Sequence, residues 1–291
     1  MTVVMISRGS FSKGEEIANK VAQELNYECL SREVLLNASK EFNIPEIKLI
    51  RAYEDVPSIL DRFSHGRKKY VDYIRTSLLE HLQNDNIVYH GFAGHVFVEK
   101  ISHVLKVRVI EDKEQRINVV MKRENLSAAE ASKFLRKIDE QRRKWSQKLY
   151  GIDPWDQNLY DLIIQVSRVS ARNAVDTICQ IATQGQFQTS TGSRRDMEDL
   201  VLTTKIKTTL RNVIPFVNVS VDHGIVNVEV EPSSMKNSNL VNHIREIKKT
   251  IPGIKEINLI AGKVPFDGEL ADTYPSSKST KDVAPTFFSE L

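Results

Sequence analysis

The sequence predicts an α/β protein in two parts: a five-stranded parallel sheet with flanking helices over residues 1–183, and a small α+β unit of order αββαβ over residues 198–262. Three observations point there. Up to about residue 183, short apolar runs alternate with amphipathic helical stretches, the pattern of a parallel sheet wrapped by crossover helices. The composition then changes to TQGQFQTSTGSRRDM, poor in large apolar residues, which predicts a flexible linker over 184–197. Beyond it, two alternating strands surround the turn Asp222-His223-Gly224, with a helix before and a helix and strand after.

The strand candidates of the first part are Val3 to Ile6, Tyr27 to Leu30, Asn86 to His90, Leu105 to Ile110 and Leu162 to Val166. Between them, Ile17, Val21, Ala22 and Leu25 make one apolar helical face, and Ile117, Val120 and Met121 another. The long stretch from Ile44 to Leu82 reads as helices covering one sheet edge. Its Arg62, His65, Arg67, Lys68, Lys69 and Tyr70 read as a solvated helix face, the alternative being a place for the second substrate. In the second part, Leu200 to Leu210 and Leu240 to Ile251 read as helices, and Val217 to Val221, Ile225 to Val230 and Ile257 to Ile260 as strands. From Lys263 onward, prolines and a Ser/Lys-rich stretch without period predict a disordered tail over 263–291, in which Phe287 and Phe288 read as incidental, the alternative being a docking motif.

The 291 residues are 41% hydrophobic and 27% charged with a net charge of +3, ordinary for a globular protein and too weak to imply a nucleic-acid partner. Cys29 and Cys179 stand far apart, with neither a disulfide framework nor zinc-ligand spacing. The apolar VVMI run is interrupted by Ser7 and Arg8, and no later run approaches the ~20 apolar residues of a membrane span. A cytoplasmic protein without a transmembrane segment is expected.

Chemistry is concentrated first at VVMISRGSFSKGEEIA, a buried strand passing through a glycine-punctuated loop into a helix. Chains build phosphate cradles from backbone N–H groups in this way. Gly9 and Gly14 have phosphate-loop spacing, but Lys13 precedes the second glycine, and Glu15 and Glu16 stand where Lys and Ser or Thr belong. Ser10 and Ser12 offer hydroxyls. Asp139 and Arg142, three apart on a helix, are neighbours. His90 and His95, five apart with no third ligand near, do not read as a metal site, and Trp145, Tyr150 and Trp155 read as packing aromatics, the alternative being stacking on a base or ribose.

Residues 1–183 resemble the cytidylate-kinase-like family of nucleoside monophosphate kinases, which are P-loop NTPase-type proteins. The resemblance is carried by ISRGSFSKGEEIA, LSREVL, VYHGFAGH, KVRVIEDKEQRI with KRENLS, IDEQRRKWSQKLYGID and YDLIIQVSRVS. It implies transfer of the ATP γ-phosphoryl group to CMP or dCMP with Mg²⁺, so nucleotides are the expected partners. It implies that Gly9, Ser10, Ser12, Lys13 and Gly14 hold the donor phosphates and that Arg32, Asp139 and Arg142 hold the acceptor. Arg136 or Arg143 would neutralise the transferring group. Leu135 stands where the family usually has an arginine, and His90-Gly91-Phe92-Ala93-Gly94-His95 replaces a base-reading Gly-Arg-Asp element. The alternative is a catalytically inactive nucleotide sensor acting through the second part. Residues 198–262 resemble a BON domain, best matched at Gly224 and Gly253, which implies protein or phospholipid contact; basic and acidic residues balance there, so no basic lipid anchor is evident.

Overall fold

The computed structural model describes residues 1–31, 33–41, 64–91, 94–214 and 217–262. Among these, β1 (Val3–Arg8), β2 (Glu28–Leu30), β3 (Ile87–His90), β4 (Val104–Ile110) and β5 (Leu162–Gln165) form one sheet in the order β2-β3-β1-β4-β5. Every pairing in it is parallel, with Ile6 opposite both His90 and Val107. All five expected strands are present. Their apolar runs are nearly continuous because both faces of a helix-wrapped parallel sheet are buried.

Alternation along β1 sorts its side chains. Val4 and Ile6 pack with Ile17 and Val21 of α1 (Gly14–Leu25) and with Val175 and Ile178 of α6 (Ala171–Ala182). Val3 and Met5 pack on the opposite face with Val34 of α2 (Glu33–Glu41) and with Ile74, Leu78 and Leu82 of α3 (Ser64–Leu82). After β4 come α4 (Lys113–Glu124) and the long α5 (Ala128–Tyr150). Ser127 and Glu130 cap α5 reciprocally.

Residues 184–197 are not the flexible linker that composition predicts. Gly185–Phe187 forms a 3-10 turn, and a 20-residue helix, α7 (Thr191–Leu210), begins within the segment. Its polar residues are used locally: Ser190 and Ser193 cap the helix reciprocally. The buried Asp85 carboxylate accepts from Thr189 Oγ1 at 2.8 Å and Arg194 Nη2 at 2.9 Å. Met197 (2% exposed) and Val201 (3%), one helical turn apart, enter the α3-side core. Further along, Thr208 meets Thr76 at 3.2 Å, Lys205 pairs with Glu80 and Arg211 with Asp72.

The far end of α7 contributes Ile206 and Leu210 to a second core with Val219, Val226, Val228, Leu240 and Ile247. This core covers β6 (Asn218–Asp222), β7 (Ile225–Val230) and β8 (Glu256–Ala261), with α8 (Ser238–Thr250) before β8. β6 and β7 are antiparallel, β7 and β8 parallel. The expected αββαβ order is therefore found. At the β6–β7 turn, His223 and Gly224 both have positive φ, and the Asp199 carboxylate of α7 accepts from their amides at 2.8 and 3.0 Å. The tail from 263 with Phe287 and Phe288, and residues 42–63 of the insert, lie outside the described residues. No helix among the described residues is long and apolar enough to cross a membrane.

Candidate functional site

The glycine loop leaves β1 at the carboxyl edge of the sheet, where open α/β sheets hold ligands. Phe11 turns the loop with φ +57°, a left-handed conformation that costs a non-glycine residue roughly 1–3 kcal/mol. It is anchored by packing: Phe11 joins Val120, Ala131, Leu135 and Phe134, with its ring 6.0 Å from that of Phe134. Leu135, the departure from the family pattern, thus serves as a core residue beneath the loop. Ser12 Oγ donates to the Gly9 carbonyl at 3.0 Å and accepts from the Gly14 amide at 3.4 Å, so it braces the loop itself. A Cβ at Gly14 would come within 2.5 Å of Arg8 Cβ, which makes this glycine a requirement for seating α1 on β1. Ser10 Oγ and Arg8 Nε are buried without a hydrogen-bond partner.

Across from the loop, the first turn of α4 presents Arg116. Its Nε donates to the Ser10 carbonyl at 2.7 Å, and its Nη2 donates to both Asp139 oxygens at 2.7 and 2.9 Å. One guanidinium therefore ties the loop to α5. Sequence reading missed Arg116, although an arginine in the first turn after a strand, in KEQR, marks the same sheet edge. Asp139, expected to meet the acceptor sugar, is engaged by Arg116. Lys13 is also taken up locally: its amide donates to Glu111 Oε2 at 3.1 Å and its Nζ lies 4.0 Å from Oε1.

The remaining α5 arginines separate in role. Arg136 is exposed and Arg142 half-buried and engaged by its surroundings. Arg143 donates from Nε to both Asp153 oxygens at 3.0 Å, and its Cζ lies 4.5 Å from the centroid of the Trp155 ring. The Arg143 hydrogen bond holds the Asp153 carboxyl below its ordinary range. This pair closes the turn after α5, so Arg143 is committed there rather than to the loop. Tyr150 packs edge-on against Phe97 in the core as expected, whereas Trp155 is exposed. Arg32 and the Trp145 side chain lie outside the described residues.

A polar cluster adjoins the loop on β1 and β4. Arg108 Nη1 donates to the Pro154 carbonyl at 2.6 Å and to Tyr160 Oη at 2.9 Å, and Ser7 Oγ lies 3.3 Å from Tyr160 Oη. His95 stacks on Tyr160 with ring centroids 4.8 Å apart. Burial, with Arg108 and Lys106 adding repulsion, pushes its pKa down to about 3, so it is a neutral imidazole with Nε2 unpartnered. His90 is buried at the end of β3.

With this geometry in view, comparison with known proteins is direct: the model of the cytidylate kinase-like family matches residues 3–168. The chain belongs to the cytidylate kinase-like family. A cytidylate kinase from Methanopyrus kandleri is 30% identical over 95 residues, covering 30% of this chain and 49% of that protein, so the chain spans about half the length of the curated relative it matches. Similar solved structures include an uncharacterized protein from Eubacterium ventriosum (19% identity, 62% of this chain and 97% of that one, TM-score 0.45). Another is shikimate kinase from Bacteroides thetaiotaomicron (11% identity, 63% and 99%, TM-score 0.40). The family match spans β1 to β5, the loop, Arg116 and all of α5; it ends before α7.

Proposed function

We propose that this cytidylate kinase-like protein is a phosphotransferase that moves the γ-phosphoryl group of ATP to a nucleoside monophosphate, with CMP or dCMP as acceptor. The observation that carries this reading is the Arg116 bridge from the Ser10 carbonyl to Asp139, which clamps a glycine loop under a helix bearing Arg136, Arg142 and Arg143. Phosphoryl transfer asks for positioning and charge neutralisation more than for covalent machinery.

The residues suit a bound polyphosphate. Buried polar groups are nearly always paired, and here two donors, Arg8 Nε and Ser10 Oγ, are orphaned in or beside one loop. An anion supplies the partner both lack. For Mg²⁺, the buried Glu111 carboxylate beside Lys13 is a hard oxygen ligand of the type that cation takes. When bound, Mg-ATP supplies the activated phosphoryl group. Arg116 then holds loop and α5 in register, Lys13 turns its ammonium toward the donor phosphates, and Arg142 with Arg32 binds the acceptor phosphate. Arg136, exposed on the same helix, is free to swing onto the transferring group, a role that Arg143 can share only by leaving Asp153. Asp139 contributes by orienting Arg116, and meets a sugar hydroxyl through any lone pair left over.

Purified protein with ATP, Mg²⁺ and a panel of nucleoside monophosphates tests this. Diphosphate is expected with CMP or dCMP above the purine acceptors. ATP-dependent thermal stabilisation without any diphosphate would replace the enzyme with a sensor, a reading that the family comparison does not favour. The αββαβ order supports the BON resemblance of residues 198–262.

A further inference from the structure

We infer that Glu111 makes the donor site selective for the metal-complexed nucleotide, because it holds a buried carboxylate against the loop amide that a metal-free triphosphate would need. This deepens the reading above and rests on the loop accepting a nucleoside triphosphate.

Glu111 comes directly after β4, and its side chain is 1% exposed. Oε2 accepts from the Lys13 amide at 3.1 Å while Oε1 lies 4.0 Å from Lys13 Nζ. Both donors that Lys13 has for a phosphate, amide and ammonium, therefore face the protein's own anion. The acidic pair that follows the loop does not compete: Glu15 turns to Arg8 at 3.4 Å and Glu16 to Lys20 at 2.6 Å, both largely in solvent, and Asp139 is taken up by Arg116. A naked triphosphate reaching the loop meets a carboxylate that water does not screen, and like charges a few ångströms apart repel strongly there. A divalent cation carried on the phosphates inverts the sign. Hard cations take carboxylate and phosphate oxygens together, so Glu111 turns from competitor into ligand, and Lys13 is released to the phosphates.

Calorimetric titration of the full chain with Mg-ATP, and with ATP in the presence of EDTA, tests the assignment in wild type, Glu111→Gln and Glu16→Gln. Wild type is expected to bind Mg-ATP roughly tenfold or more tightly than metal-free ATP, a gap between the weak repulsion of two such charges in bulk water and the far larger one at intermediate dielectric. Glu111→Gln should raise the affinity for metal-free ATP and close that gap, and Glu16→Gln should leave it open. A gap unchanged in Glu111→Gln overturns the inference while leaving the donor site intact. Equal binding of both forms by wild type overturns it without any variant, so a folding defect in Glu111→Gln does not shield it. If wild type takes up neither form at millimolar concentration, the donor-site reading falls, and this inference with it.

Discussion

At Arg116 one side chain answers three acceptor oxygens drawn from the loop and from α5. Hydrogen bonds to charged groups are worth about 1.5–3 kcal/mol, so Arg116→Ala should weaken ATP binding by roughly ten- to a hundred-fold. Lysine should not rescue it, since an ammonium lacks the planar fork. An unchanged Kd by calorimetry would remove Arg116 from the site. His95 gives a pH signature. Its folded pKa of about 3 lies below that of the unfolded chain, so unfolding takes up a proton below about pH 6.5, and stability falls as the pH drops. For a group held neutral throughout, the loss is about 2 kcal/mol between pH 7 and pH 5. His103, whose pKa burial also lowers, acts in the same direction. Urea midpoints at both pH values should show a shallower dependence in His95→Phe; equal slopes would contradict it. None of these partnerships is readable from sequence, because Ser10 and Arg116 are 106 residues apart and nothing local announces that they meet. Lys13, Gly14 and Asp139 stand out in the sequence by motif spacing, whereas the neighbours they meet in the fold, Glu111, Arg8 and Arg116, do not.

Elements were legible where burial is uniform or a turn demands special backbone. Most of the parallel strands declare themselves by short apolar runs, β4 by alternation through Lys106 and Arg108, and the β6–β7 hairpin by Asp222-His223-Gly224. Gly224 has φ +79°, and a Cβ there would come 2.7 Å from the Gly253 carbonyl oxygen. Gly224→Val should therefore destabilise the second core by more than about 1 kcal/mol, from the left-handed strain together with the clash. A guanidinium midpoint unchanged from wild type would show that the turn relaxes freely. The start of α7 was illegible for the opposite reason. Serines, threonines and arginines that look unstructured by composition are consumed by capping and by Asp85, and only Met197 and Val201 betray an apolar face.

For the molecule as a whole, α7 runs through both cores, since Met197 and Val201 belong to the first and Ile206 and Leu210 to the second, and the two cores are therefore expected to unfold together. Met197→Asp places a charge among apolar neighbours and should cost about 3 kcal/mol or more. Calorimetry should then show a single transition moved to lower temperature, with the fluorescence of Trp145 and Trp155 and the hydrogen exchange of β6 to β8 shifting together. Two separated transitions would show that the halves melt alone. The shared helix also restricts how such a chain can change its length. Each residue inserted into an α-helix advances the downstream chain by about 1.5 Å and rotates it by about 100°, so between Val201 and Ile206 a single added residue would swing the entire C-terminal sheet around the axis. Drift in spacing is tolerable there only in near-whole turns, a phase constraint that no ordinary tether imposes.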